Sequence, residues 1–329
     1  MPGQTSTGGS LLYLSNRDVE QTGLTEADIL AELALLFAEK GAGRVDGPPK
    51  IGVHLSRHSF LHAMPAHVPG RRAVGMKWIG AFPGNRDRGI PQVNGIIVIN
   101  DSETGVPVAV LDARWVTAKR TAAASALAAR HLARPDACKV GILGCGVQGR
   151  SHLVALCGEF PIEEAVAYDP SDEARALYAE EMRDCLGIRV DPTAVPRDAV
   201  EGCDVVVTAG PIARPSYATV EAGWFSEGAF AAAVDYASAW SAGALARFDR
   251  IYTDDIPQLE FQRGQGYFPG LPEPFADLGK VVAGAKPGRT ARTERLMACL
   301  LGLAAEDVVI GRLVVERAVA KGIGIRLPL

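Results

Sequence analysis

The chain has 329 residues, of which 48% are apolar and 22% charged, with a formal net charge of −4. These proportions describe a packed globular protein, and the length exceeds the ~250 to 300 residues at which a single core stops growing, so two domains are expected. No cluster of Lys and Arg supplies the basic footprint that a phosphate backbone needs, and no apolar run approaches the ~18 residues of a membrane span. Neither nucleic acid nor a membrane is an expected partner.

The opening stretch MPGQTSTGGS has neither the basic nor the apolar segment of a secretion signal and reads as loose chain of a cytoplasmic protein. The six cysteines show no CxxC pair and no metal-ligand spacing, so they read as small buried hydrophobes in a reducing compartment. From Thr25 to Lys40, Ile29, Leu33, Leu36 and Phe37 recur at helical spacing, with Gly41 as the stop. Residues 50 to 112 carry short apolar runs, KIGVHL, AVGMKWIGAF, GIIVIN and PVAVLD, divided by Pro, Gly and Asn as in antiparallel strands. The alanine-rich segment TAKRTAAASALAARHLA predicts a helix from Thr117 that stops before Pro135.

After Pro135, strands and helices alternate: KVGILG, a helix from Gln148, EAVAYD, a helix through Met182, then CDVVVTAG, GAFAAAVD and DRIYTDD. Near-continuous apolar strands of this kind belong to a parallel sheet covered on both faces. A last helix is expected around residues 305 to 321, and the tail GIGIRLPL returns toward the first lobe. The fold class is therefore α/β, a doubly wound parallel sheet domain joined to a sheet-rich α+β lobe.

Gly144, Gly146 and Gly149 form GxGxxG between a strand and a helix, and Asp169 ends the next strand 20 residues after the third glycine. In a Rossmann domain the first glycine permits the tight turn, the second lets backbone approach a pyrophosphate, and the third packs helix on strand. Asp169 would accept the adenosine ribose hydroxyls and repel a 2′-phosphate, which favours NAD over NADP. The cofactor contacts are assigned to Gly144, Gly146, Val147, Gln148, Gly149 and Asp169, with Thr208 at the end of CDVVVTAG. The alternative is a glycine-rich turn without a ligand.

Lys77 lies inside an apolar strand, where an unpaired ammonium is expensive to bury, so it needs an anion or must reach water along its stem. Arg120, placed in the first turn of the helix starting at Thr117, sits where the macrodipole disfavours a cation. Two cations against local preference suggest a shared anionic guest such as a substrate carboxylate. Asp235 ends GAFAAAVD on the edge where ligands of doubly wound folds sit, as an acid/base or as a turn aspartate. Asp254 and Asp255 read as turn residues. His54, His58 and His62 are four apart, a metal spacing only on a helix, and their segment reads as extended chain, so no metal is expected.

Read together, MKWIGAFPGN, GIPQVNGIIVINDSETGVPVAVLDA, TAKRTAAASALAARHLA, GILGCGVQG and DLGKVVAGAKPGR resemble the ornithine cyclodeaminase/mu-crystallin family over nearly the whole chain. The resemblance implies a substrate-binding and dimerisation domain over residues 1–128, to which 312–329 return, an NAD-binding Rossmann domain over 129–311, and a homodimer. It implies that Lys77 and Arg120 hold a substrate carboxylate and that Asp235 is the acid/base beside the reacting amine. Two positions depart from the pattern. Lys50, in GPPK, stands where an arginine is usual, and His62, in LHAMP, replaces an acidic residue of ornithine cyclodeaminases and points away from ornithine.

The implied activity is NAD-dependent hydride transfer at the α-carbon of a small amino or imino acid, as a dehydrogenase or imine reductase. Lys50, His62, Lys77 and Arg120 would bind the substrate while Asp235, with Lys77, serves the chemistry. A redox-neutral cyclodeaminase that expels ammonia to form a cyclic imino acid is the alternative, and a non-catalytic, ligand-binding crystallin-like protein is a second.

Overall fold

The computed structural model describes residues 9–56 and 59–329, so the first eight residues and His58 lie outside the described residues. After β1 (Ser10–Leu14), Ser15 and Asp18 form a capping box that starts α1 (Asn16–Gln21). α2 (Glu26–Gly41) buries Ile29, Leu33, Leu36 and Phe37 along one face, as its periodicity predicts. The strands β2 (Ile51–His54), β3 (Phe60–Val68), β4 (Ala73–Ala81), β5 (Val93–Asn100) and β6 (Pro107–Asp112) come next.

α3 (Arg114–Leu132) begins three residues earlier than its alanine-rich stretch suggests. The cause is local: the Asp112 carboxylate accepts the backbone N–H of Arg114 at 2.8 Å and satisfies one of the first orphan donors. The chain continues with β7 (Lys139–Leu143), α4 (Val147–Cys157), β8 (Glu164–Tyr168), α5 (Asp172–Leu186), β9 (Arg189–Thr193), β10 (Val205–Thr208) and β11 (Phe230–Ala233). It closes with α6 (Ala242–Leu245), β12 (Arg250–Thr253), α7 (Ile256–Gly264), β13 (Ala276–Asp277), α8 (Leu278–Val282), β14 (Leu296–Cys299), α9 (Ala304–Lys321) and β15 (Ile325–Pro328).

These elements fall into two compact units. The first holds the described residues up to Thr25, Val45–Thr117 and Ala304–Leu329. Its seven strands run in the order β15-β1-β6-β5-β4-β3-β2, antiparallel except for the β1–β6 pair. α9 lies along β3, β4 and β5, and the missing side chain of Gly311 lets it come close, since a Cβ there would stand 3.0 Å from Ile99 and 3.2 Å from Ile97.

The second unit comprises Glu26–Arg44 and Ala118–Leu303. Its eight strands are all parallel, in the order β13-β12-β14-β11-β10-β7-β8-β9. Winding reverses between β7 and β10, the switch point where open α/β sheets leave a crevice at the carboxyl ends of their strands. Val205, Val206 and Val207 of β10 and all four residues of β11 are buried, as a strand covered on both faces requires.

No helix of the described residues is long and apolar enough to cross a membrane. Cys145, Cys203 and Cys299 are buried as expected, whereas Cys138 and Cys185 are exposed, contrary to the reading of all six as core residues.

Candidate active site

At the carboxyl end of β7 the three fingerprint glycines have different surroundings. Gly144 has φ +115° and a Cβ there would meet the Ala209 carbonyl at 2.7 Å, so the turn demands glycine. A Cβ on Gly149 would run into the Gly144 carbonyl oxygen, which fixes the close packing of α4 on the strand. Gly146 alone faces open space, with nothing within 4 Å of its Cβ position. It is also the N-cap of α4 and makes no side-chain capping bond, so the first N–H groups of the helix are presented to that space. This is the geometry that takes a pyrophosphate. Asp169, just past β8, has one carboxylate oxygen on the Cys145 N–H at 3.0 Å and the other on the Ser171 N–H at 3.0 Å, which holds the acid against the glycine loop.

Two strands along the same edge, Asp235 lies two residues past β11 and is fully buried. Oδ1 accepts the Thr208 hydroxyl at 2.8 Å, and Oδ2 accepts the Tyr217 hydroxyl at 2.9 Å and the Ala239 N–H at 3.1 Å. The Thr208 hydroxyl accepts in turn from the Trp240 indole N–H at 3.2 Å, which leaves its own proton for Asp235. Burial pushes the Asp235 carboxyl up to about 6 against the pull of these donors. Such a value suits a group that gives and takes protons near neutrality. The next residues, Tyr236 and Ala237, have φ of +56° and +53°, a left-handed conformation that costs L-residues roughly 1 to 2 kcal/mol each. Strain of this kind persists where surrounding contacts impose it. Here the Tyr236 ring stacks on Phe268 at 5.0 Å and Tyr217 donates its N–H to the Ser238 carbonyl at 3.0 Å.

Further along the edge, Asp254 lies just past β12, fully buried, and its Oδ2 accepts the Gly302 N–H at 2.6 Å. Gly302 has φ +79°, its carbonyl accepts Gln258 Nε2 at 3.2 Å, and a Cβ there would collide with the Arg120 guanidinium. Arg120, 5% exposed, is thus seated against a loop that Asp254 secures. Asp255 caps α7 through the Gln258 N–H at 2.6 Å and pairs with Lys40 at 3.0 Å.

In the first unit, Lys77 on β4 is 1% exposed. Its ammonium lies 2.6 Å from Asp307 of α9, also fully buried, and 3.5 Å from the Thr117 hydroxyl. On the neighbouring strand Met64 is the partner of Lys77, and His62, two residues on, shares its face of the sheet. The His62 ring stacks on Phe60 at 4.1 Å and stands 6.2 Å from His54. Burial first, then the charges of Lys50, His54 and Lys77, lower His62 to about 3, so it is neutral at physiological pH. Lys50 is itself 7% exposed.

The profile of the ornithine cyclodeaminase/mu-crystallin family matches residues 12–322. The chain belongs to this family. It is 32% identical over 326 residues, 96% of this chain and 98% of the other, to an alanine dehydrogenase of Archaeoglobus fulgidus. Among solved structures it is similar to Thermococcus litoralis Delta(1)-pyrroline-2-carboxylate reductase in complex with NADH and L-proline, with a TM-score of 0.88 and 29% identity, covering 96% of this chain and 100% of that one. An archaeal alanine dehydrogenase dimer with bound NAD gives a TM-score of 0.86 at 30% identity, covering 97% of this chain and 99% of that one.

In this member of the family the glycine cradle, Asp169, Thr208, Asp235 and Arg120 belong to the second unit, and Lys50, His62 and Lys77 to the first. Three residues stand differently in the structure from what their sequence positions suggest. The anion that the burial of Lys77 demands is Asp307, a residue of the chain, so burial alone does not call for a guest. Because α3 starts at Arg114, Arg120 lies in its second turn, where the repulsion of the helix N-terminus has largely faded. The Thr208 hydroxyl is engaged between Trp240 and Asp235 rather than open to a cofactor. His54 and His62 sit on adjacent strands, His58 lies outside the described residues, and the described residues contain no group of three metal-ligating side chains. Asp307 and Tyr217 carry no sequence signal that singles them out, and Asp254, expected as a turn residue, is instead buried and secures the Gly302 loop. A buried lysine asks for a carboxylate, but only the packing of α9 on β4 says which one.

Proposed function

We propose that the protein is an NAD-dependent oxidoreductase acting at the α-carbon of a small amino or imino acid, a dehydrogenase or imine reductase. The observation that carries this reading is the shared sheet edge: an open phosphate cradle after β7 and a buried carboxyl of raised pKa after β11, joined through Thr208 on the strand between them. NAD, when bound, supplies the acceptor for the α-hydrogen of the amino acid, or in reduced form its donor to an imine.

In this reading the chain's own groups do the rest. Gly146 and the first N–H groups of α4 hold the pyrophosphate, and Asp169 holds the adenosine ribose. Lys77, already oriented by Asp307 and Thr117, and Arg120, seated on Gly302, neutralise the substrate carboxylate together with Lys50. Asp235 accepts a proton from the substrate ammonium in the oxidative direction and returns one to the nitrogen in the reductive direction. His62, neutral and close to two lysine charges, favours a substrate side chain without a cationic end, which supports a dehydrogenase or imine reductase over the cyclisation of a diamino acid.

The protein acts as a homodimer in this proposal. Tyr13, Ile51, Val53, Ile96, Ile325 and Leu327 share one face of the seven-stranded sheet by register and are 39 to 58% exposed. An apolar face of this kind fits association with a second copy, and the archaeal alanine dehydrogenase is a dimer.

Replacing Asp235 by Asn tests the assignment: turnover of the best amino acid should fall by about 10² or more while NADH binding stays as in the wild type. Activity equal to wild type would refute it.

A further inference from the structure

Asp235 has no exposed surface, and each of its three hydrogen-bond donors has a different outlook. Ala239 offers a backbone N–H, and Thr208 is fully buried and held by Trp240. Tyr217, in the loop between β10 and β11, is 42% exposed. Of the three donors it alone belongs to a residue that reaches solvent, while its hydroxyl end is the enclosed part, held between Asp235 and Gly210. Its loop is pinned to the Asp235 turn, with the N–H groups of Tyr217 and Ala218 both on the Ser238 carbonyl at 3.0 Å, and Ala218 is itself left-handed at φ +49°. Gly210 makes room for the phenol, because a Cβ there would collide with the Tyr217 hydroxyl.

We propose that Tyr217 is the proton relay of Asp235, passing protons between the buried carboxylate and the reacting nitrogen or water outside it. This rests on the reading of Asp235 as the acid/base. In the oxidative direction the substrate ammonium, or the water that attacks the imine, gives a proton to the Tyr217 oxygen as the Tyr217 proton moves to Asp235 Oδ2. The phenol is neutral before and after, and Asp235 ends protonated. In the reductive direction the same two transfers run backward.

The other titratable groups around the pair are Tyr168, which faces Tyr217, and Cys299, which faces Asp235, with Asp254 beyond Tyr236. Burial raises the Tyr217 hydroxyl and the Cys299 thiol well above their ordinary values, so both stay protonated at neutral pH. The relay therefore runs through a neutral phenol and not through a phenolate.

The test compares wild type, Tyr217→Phe and Gly210→Ala, using the amino acid the wild type oxidises fastest from a panel with NAD+. Tyr217→Phe should lower kcat by about ten-fold or more with KM and NADH affinity unchanged. The infrared carboxyl band of Asp235 should titrate at higher pH in the variant, since a donor to the carboxylate is gone. Gly210→Ala, which displaces the phenol without removing it, should show the same kcat loss. A Tyr217→Phe enzyme within two-fold of wild type across the pH range would overturn the relay and leave Asp235 as a direct acid/base. A wild type that oxidises no amino acid and reduces no imine would overturn the dehydrogenase or imine reductase reading, and the relay with it.

Discussion

The Lys77 ammonium and the Asp307 carboxylate lie 2.6 Å apart with both side chains buried, one on β4 and the other on α9. A pair of this kind is sensitive to the loss of one member, because the remaining charge is left in a low-dielectric interior. Asp307→Ala should cost on the order of 3 to 5 kcal/mol of unfolding free energy. The double change Lys77→Met with Asp307→Leu should recover most of that loss while abolishing turnover. Urea denaturation of the three proteins measures the stabilities and an NAD+ reduction assay the turnover, and a double variant as unstable as the single one would contradict the pairing.

The fingerprint glycines separate folding from binding. Gly149→Ala forces a methyl group against the Gly144 carbonyl oxygen and, at 3.1 Å, the Ile142 side chain. It should destabilise the protein by about 1 to 3 kcal/mol. Gly146→Ala meets open space in the protein, so its stability should stay near wild type while NADH affinity falls by about ten-fold or more, the methyl occupying the place of the pyrophosphate. Calorimetric binding and thermal melts distinguish the two, and equal effects of both changes on NADH affinity at unchanged stability would refute this division.

Asp169 is anchored by two backbone N–H groups, so its charge is fixed beside the glycine loop. NADH should bind at least about ten-fold more tightly than NADPH, and Asp169→Ser should narrow the gap. Fluorescence titration with both cofactors measures it. Equal affinities in the wild type would remove Asp169 from this role.

Asp235 also couples stability to pH. Its carboxyl titrates at about 6 in the folded protein against 3.8 when unperturbed, so folding favours the protonated form. Below about pH 4 both states hold the proton and the group contributes nothing to the pH dependence. As pH rises toward 6 the unfolded chain gives up its proton first, and stability falls by up to about 3 kcal/mol, a loss that is complete above pH 6. Asp235→Asn should therefore gain on the wild type between pH 4 and 7 in urea denaturation. A difference between the two proteins that does not change with pH would contradict the buried titration.

Much of this architecture is legible in the residues. The switch from alternating to near-continuous apolar strands after Pro135 marks the parallel sheet, and GxGxxG with Asp169 marks its nucleotide edge, because both depend on local sequence alone. β13 is not legible, since a strand of 2 residues carries too short a pattern to separate from loop. The partners of the chemical groups are hidden for another reason. Lys77 and Asp307, Asp235 and Tyr217, and Arg120 and Gly302 are far apart in the chain and meet only through packing, so sequence shows the need for a partner without naming it. The positive φ of Tyr236 and Ala237 has no sequence signal at all, being imposed on residues that disfavour it.

The central claim is that a hydride leaves the α-carbon of an amino acid for the nicotinamide. Incubating the NAD+-loaded protein with a panel of α-deuterated amino acids, neutral, cyclic and diamino, and analysing the recovered cofactor by mass spectrometry tests it directly. The account predicts deuterium in the reduced cofactor with at least one small neutral amino acid, and none with Asp235→Asn on the same timescale. Cofactor that stays unlabelled with every amino acid, in protein shown to bind NADH, would contradict it.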